Sequence, residues 1–224
     1  MSRFSALIFD LDGTLIDSAR DIAAAVNVYF ASQGWAELPA DYVEKFIGNG
    51  PRRLLFDIFT EQGLPADEES VDRAVRGYIE NYDRNPVERT RFFDHVPEDL
   101  RALRDAGIRL GICTNKPHEL TQRILRLLDL APLFDAAIGA GAVPACKPDP
   151  GHLLAVAAEM GLEPGSWAYV GDTTVDQATA AAAGVPFFVV PWGGGARVDV
   201  APEQRIGRLA DLLAKWPEPA SASA

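Results

Sequence analysis

Two aspartates close an apolar run in the segment Ile8-Phe9-Asp10-Leu11-Asp12-Gly13-Thr14-Leu15. A buried strand that runs into acids, a glycine and a threonine ends at a site, and residues two apart on a strand point to the same side. Asp10 and Asp12 so placed suit paired work, one as nucleophile and the other as proton carrier. Gly13 lets the chain turn sharply away. Taken alone, D-x-D equally fits a strand followed by an Asp-rich turn. Three later segments, each after its own apolar run, turn the reading toward chemistry.

The second segment is Gly111-Ile112-Cys113-Thr114-Asn115-Lys116, where a strand ends in a hydroxyl and an amide ahead of Pro117. A hydroxyl with free backbone N–H groups at a helix start suits an anion, although Thr-Asn there also reads as a cap. The third is Cys146-Lys147-Pro148-Asp149-Pro150. The chain has 17 arginines but only four lysines, Lys45, Lys116, Lys147 and Lys215. A lysine in such a chain points to a need for a compact charge rather than a planar fork, against the alternative of a surface lysine in a proline-rich loop. The fourth is Tyr169-Val170-Gly171-Asp172-Thr173-Thr174-Val175-Asp176. Asp172 at the strand tip reads as a metal ligand, because Mg²⁺ takes a few hard oxygens from one or two carboxylates, water and phosphate. Asp176, in the first turn of the next helix, also complements the helix dipole.

These segments need a scaffold that brings strand ends together. Apolar runs predict strands over residues 4–9, 108–114, 136–140, 167–170 and 186–190. Helical periodicity covers 97–106, 117–130, 150–160 and 175–183, several opening on Pro and closing near Gly. This alternation predicts an α/β fold, a three-layer Rossmann-like core around a central parallel sheet. Residues 18–90 break the rhythm, with helices predicted over 19–33, 41–46, 52–62 and 68–82. The predicted domains are therefore a core of residues 1–17 and 91–216 and an inserted all-helical cap of 18–90. The insertion reads as plain structure or as a lid; its position beside Asp10–Thr14 favours the lid. Residues 217–224, Pro-Glu-Pro-Ala-Ser-Ala-Ser-Ala, read as a frayed tail.

At 224 residues the chain can bury a substantial core. A net charge of −11 and a pI near 4.7 argue against nucleic-acid and anionic-membrane surfaces. No stretch has the length and apolarity of a bilayer span. Two cysteines, Cys113 and Cys146, make no disulfide framework, and a cytoplasmic setting is the expectation. His95, His118 and His152 lack metal-ligand spacing and are expected to be solvated. The cysteines are expected to be fillers, and Gly193–Gly195 a plain turn.

Together, Asp10-Leu11-Asp12-Gly13-Thr14, Thr114-Asn115, Lys147-Pro148 and Gly171-Asp172-Thr173-Thr174-Val175-Asp176, with Ala180, Ala183 and Gly184 continuing the last motif, resemble the haloacid dehalogenase superfamily of aspartate-nucleophile phosphotransferases. The insertion resembles that family's C1 cap. Asp17-Ser18, Phe46-Ile47-Gly48-Asn49-Gly50, Phe92-Phe93-Asp94-His95-Val96 and Lys147-Pro148-Asp149-Pro150 resemble its phosphoglycolate phosphatase branch. Pro191-Trp192-Gly193-Gly194-Gly195 departs from that pattern, since relatives often carry an aromatic after the Trp-Gly pair.

The resemblance implies a Mg²⁺-dependent phosphomonoesterase that acts on a small anionic phosphorylated metabolite, 2-phosphoglycolate first among them, through an aspartyl-phosphate. It implies Asp10 as nucleophile and Asp12 as acid and base. The metal would lie among the Asp10 carboxylate, the Asp12 carbonyl and the Asp172 carboxylate. Thr114, Lys147 and the backbone N–H groups of Leu11, Asp12 and Asn115 would hold the phosphoryl group, and Asp176 would orient Lys147 or the metal waters. Asn49, Arg52 and Arg53 are the expected cap contacts to a substrate carboxylate. No nucleic acid or membrane partner is expected, and the chain is expected as monomer or homodimer. A β-phosphoglucomutase-like transferase shares all four motifs. A carbon-attacking dehalogenase needs neither Asp12 nor Asp172. A phosphonatase needs a cap lysine, for which Lys45 is the one candidate, and a non-catalytic binding protein need not keep these polar residues.

Overall fold

The computed structural model describes residues 4–215, so the 217–224 tail expectation lies outside the described residues. In chain order the elements are β1 (Ala6–Phe9), β2 (Ile16–Asp17), α1 (Ala19–Ser32), α2 (Ala40–Glu44), α3 (Gly50–Gln62), α4 (Glu68–Arg84) and β3 (Arg91–Phe92). There follow α5 (Val96–Asp105), β4 (Arg109–Pro117), α6 (His118–Leu127), β5 (Ala136–Ala140), α7 (Pro150–Glu159), β6 (Trp167–Gly171), α8 (Thr174–Ala183), β7 (Phe187–Val189) and α9 (Asp211–Ala214).

Five strands form a parallel sheet in the order β5-β4-β1-β6-β7. The period-2 alternation of β1 sorts its side chains between two layers. Leu7 and Phe9 pack with Leu100, Leu103, Leu120 and Ile124 of α5 and α6. Ala6 and Ile8 pack with Leu153 and Val156 of α7 and Ala180 of α8. With both faces covered, strands β1 and β6 are wholly buried, as a parallel sheet requires. The expected three-layer Rossmann-like core is what the chain folds into.

The four helices between β2 and β3 share one apolar interior. Phe30, Trp35 and Phe59 meet edge to face, with centroids 5.2 Å and 5.4 Å apart. What the sequence reading lacked is a stem. β2 and β3 pair antiparallel, Ile16 with Phe92 and Asp17 with Arg91, bringing the two ends of the four-helix insertion side by side. The buried Asp21 of α1 fastens the returning chain. Its carboxylate accepts from the Arg89 and Thr90 backbone N–H groups and from the Thr90 hydroxyl, at 2.7–3.0 Å. Asp21→Ala strands those donors, of which the two of Thr90 are buried, and should cost about 2–4 kcal/mol. Urea unfolding checks this, and a loss within error of zero would mean that the stem is held by β2–β3 pairing alone.

Candidate active site

The parallel register sets three chain ends abreast. Phe9 lies opposite Ile112 on one side and Val170 on the other. Asp10 and Asp172, each just past its strand, and Thr114, two residues beyond Ile112 within β4, therefore lie side by side toward the carboxyl edge of the three central strands, where open α/β sheets bind ligands. Asp10 stays tied to the sheet through its N–H to Val170 O, 2.9 Å. The strand-periodicity argument for Asp12 needs correcting: β1 ends at Phe9, and Asp12 belongs to a tight turn closed by Gly13 N–H to Ile16 O and Leu15 N–H to Leu11 O. Gly13 makes that turn at φ +84°, and a Cβ there would stand 2.3 Å from Asp172 Oδ2. Only glycine serves both demands.

The floor of the site is an ionic cluster. Lys147 Nζ is fully buried, 2.7 Å from Asp176 Oδ1 and 2.8 Å from Asp10 Oδ1. It is better aligned on Asp176: Asp10 Oδ1 shares its charge without an aligned hydrogen bond. Tyr169 Oη donates to Asp176 Oδ1 at 2.8 Å, and Asp176 Oδ2 accepts from the Thr173 hydroxyl at 2.6 Å and from Thr173 N–H at 3.0 Å. Burial raises the Asp176 carboxyl, but Lys147 and these hydrogen bonds outweigh it and hold the group below the usual carboxylate range. Asp176 is thus spent on orienting Lys147 and capping α8.

At Asp10 and Asp172 the compensation falls short. Burial, only partly offset by Lys147, pushes Asp10 up to about 6, and Asp176 and Asp12 add repulsion. Burial, then the charges of Asp176 and Asp10, push Asp172 up to about 8. Carboxylate oxygens of Asp10, Asp172 and Asp176 lie within 4.8 Å of one another. Three buried carboxylates face one ammonium, Asp10 Oδ1 meets it only as an ion pair without an aligned hydrogen bond, and all the possible ligand atoms are hard oxygens. That set fits a divalent cation such as Mg²⁺. Asp172 is itself aimed by two contacts absent from the sequence reading, the Thr14 hydroxyl at 2.8 Å and Gly194 N–H at 2.7 Å. The glycines at 193–195 are therefore more than a turn. A Cβ at Gly193 would lie 2.3 Å from Gly13 O, and Trp192 donates its indole N–H to Thr14 O and stacks on Phe93, which follows β3.

Asp10, Asp12, Thr114, Asn115 and Lys116 line one cleft with Ile22, Gly48, Leu54 and Tyr78 of the helical insertion. The Asn115 side chain is engaged in stitching: its amide donates to Gly48 O at 3.1 Å and Lys147 O at 2.9 Å and accepts from Lys147 N–H at 2.9 Å. Asn49 is exposed, on a neighbouring groove with Lys45 and Asp172. Arg52 and Arg53 are not brought to the cleft. Arg52 pairs with Asp72 and Glu68 of α4, and Arg53 with Asp57 at 2.8 Å, and both arginines are exposed.

The expectation of solvated histidines fails at His152, which is fully buried, with Nε2 3.2 Å from Ile138 O. Burial, then Lys147, pushes it down to about 4. Cys113 is buried and Cys146 exposed, and burial pushes the Cys113 thiol well up, away from reactivity. Lys45 is exposed beside the Tyr42 ring. Sequence reasoning assigned no task to Lys116, Tyr82, Tyr169 or Thr14. The scarcity of lysine that drew attention to Lys147 applies equally to Lys116.

A profile of the haloacid dehalogenase-like hydrolases matches residues 7–190. The phosphoglycolate phosphatase of Cereibacter sphaeroides is 40% identical over 187 residues, covering 84% of this chain and 85% of that protein. That of Caulobacter vibrioides is 37% identical over 189 residues, covering 84% and 80%. Among solved structures, a predicted phosphoglycolate phosphatase from Haemophilus somnus superposes with a TM-score of 0.84 at 27% identity, covering 96% of this chain and 99% of the other.

Proposed function

We propose that this chain, which belongs to the haloacid dehalogenase-like hydrolase family and is a phosphatase, hydrolyses 2-phosphoglycolate to glycolate and phosphate through an aspartyl-phosphate on Asp10. The observation that carries the chemistry is the Asp10 carboxylate, buried at the sheet edge beside Lys147 and Asp172, with Asp12 and Thr114 on the same cleft. The substrate reading rests on the relatives of 37–40% identity that bear that name.

An Asp10 oxygen bonds to phosphorus as the ester P–O bond breaks, and the Asp12 carboxyl gives its proton to the departing oxygen. Asp12 then takes a proton from water as that water attacks phosphorus, and the acyl P–O bond to Asp10 breaks. The Thr114 hydroxyl, the Lys147 ammonium and the backbone N–H groups of Leu11, Asp12 and Asn115 hold the phosphoryl oxygens. Asp176 and Tyr169 keep Lys147 aimed. Mg²⁺ held by the Asp10 and Asp172 carboxylates and the Asp12 carbonyl would neutralise charge between an anionic nucleophile and an anionic phosphate. The helices of 18–90 serve as a cap that covers the leaving group.

A hydrolysis screen over phosphorylated metabolites, with Mg²⁺ and with EDTA, tests this. 2-Phosphoglycolate should give the highest kcat/KM. A clear preference for another monoester would replace the substrate, and transfer to a sugar hydroxyl without phosphate release would replace the reaction. Asp12→Asn should lower kcat by about 10² to 10⁴ by removing general acid–base help. Unchanged kcat on an alkyl phosphate would reassign the proton carrier.

A further inference from the structure

Lys116 lies in the cleft but has no part in the chemistry above. Its side chain is only 3% exposed. Nζ sits 2.9 Å and 3.0 Å from the two carboxylate oxygens of Asp12, donates to Tyr82 Oη of the cap at 2.9 Å, and lies 4.4 Å from the centre of the Tyr82 ring. Burying an ammonium costs several kcal/mol unless it is paired. The one carboxylate that pairs with it belongs to the residue assigned to meet the leaving oxygen. The cap wall around it, Ile22, Ile47, Leu54 and Tyr78, offers no charge, and Lys116 is the one cationic side chain among the described residues lining the cleft. Lys147 sits on the floor of the site with Asp10 and Asp176, where it serves the phosphoryl group rather than the leaving group.

We propose that Lys116 is the specificity-determining residue for a carboxylate on the leaving group. The inference rests on the reading above for the position of the phosphoryl group at Asp10 and for Asp12 as proton carrier. In an α-carboxylate monoester one methylene separates the bridging oxygen from the carboxylate. With the phosphoryl group seated at Asp10, the substrate carboxylate takes the place of Asp12 beside the ammonium and frees Asp12 to turn to that oxygen. One anion replaces another, and the buried charge stays paired throughout. A neutral leaving group has nothing to exchange, so drawing Asp12 away leaves Lys116 unpaired. Tyr82 holds the ammonium from the cap side. Burial raises the Tyr82 phenol well above its ordinary range, so it remains a neutral hydroxyl.

Two phosphonates that resist hydrolysis isolate this contact: 3-phosphonopropionate and propylphosphonate, which differ by a carboxylate in place of a methyl. Calorimetric titration of the full chain in Mg²⁺ buffer should show 3-phosphonopropionate binding at least about tenfold tighter, the size of a charge-assisted hydrogen bond. Lys116→Met should bring the two affinities within about twofold of each other. Lys116→Gln, which keeps a donor without charge, carries the same expectation should the methionine variant not fold. Equal affinities in the unmodified protein, or a full gap surviving in either variant, would overturn the assignment. Turnover of 2-phosphoglycolate with the gap intact in Lys116→Met sinks this inference alone. A gap that collapses in a protein unable to hydrolyse 2-phosphoglycolate sinks the proposed substrate and leaves the carboxylate site standing.

Discussion

Asp10→Asn protein should release no measurable phosphate from any monoester, a fall of roughly 10⁵ to 10⁶ in kcat, the scale on which a covalent nucleophile acts. An amide oxygen cannot form the acyl-phosphate, while its shape matches the carboxylate, so the fold should stay intact. The electrostatics go further. Asp10 sits among three carboxylates that one ammonium serves, and burial already raises it to about 6. A neutral amide there relieves repulsion, so metal-free Asp10→Asn should melt no lower than the unmodified protein near pH 8. Rapid quenching of the unmodified enzyme, followed by borohydride, should convert Asp10 to homoserine while turnover is under way. Substantial steady-state turnover by folded, uncontaminated Asp10→Asn protein would end the case for Asp10 as nucleophile.

The sequence made the order of the core legible because long apolar runs and 3.6-residue periodicity survive any detail of packing. Residues 136–140 were bounded correctly, and the α1, α4 and α7 ranges differ from the structure only near their ends. The stem escaped because two-residue strands carry no period: Ile16–Asp17 and Arg91–Phe92 are strands only through each other. Asp10 and Asp12 do line one cleft, but a turn and not a strand face brings Asp12 there. The buried place of His152 and the outward pairing of Arg53 are both readable in the sequence. His152 shares the buried face of α7 with Leu153 and Val156, and Arg53 falls opposite the Leu54, Leu55, Ile58 and Phe59 face of α3, four residues before Asp57. Lys116 could not be separated from a surface lysine by pattern. Its burial depends on Tyr82, which reaches it from a helix 34 positions away in sequence.

Metal removal should silence the enzyme, and the reason is written in the same surplus of negative charge. EDTA should cut phosphate release by at least about 10³, and Mg²⁺ should restore it, because charge neutralisation at the phosphoryl group is among the largest catalytic contributions. Asp172→Ala should raise the Mg²⁺ concentration needed for half activity by at least about 10²; Thr14→Val, which only loosens Asp172, should raise it about tenfold. Ca²⁺ should serve poorly, since its larger and more flexible coordination misplaces an in-line attack. Stability supplies a readout independent of turnover. Asp10 and Asp172 have folded-state pKa values above their unfolded value of 3.8, at about 6 and about 8. Between pH 4 and 8, on that basis, the folded metal-free protein binds more protons than the unfolded chain, and its stability falls as pH rises through the two folded values. A bound cation favours the charged carboxylates and reverses that trend. The melting temperature of metal-free protein should therefore fall by several degrees from about pH 5 to about pH 8, and the gain on adding Mg²⁺ should grow over the same interval. A gain independent of pH would separate the bound ion from these two carboxylates, and full activity in metal-free buffer would remove it from the reaction.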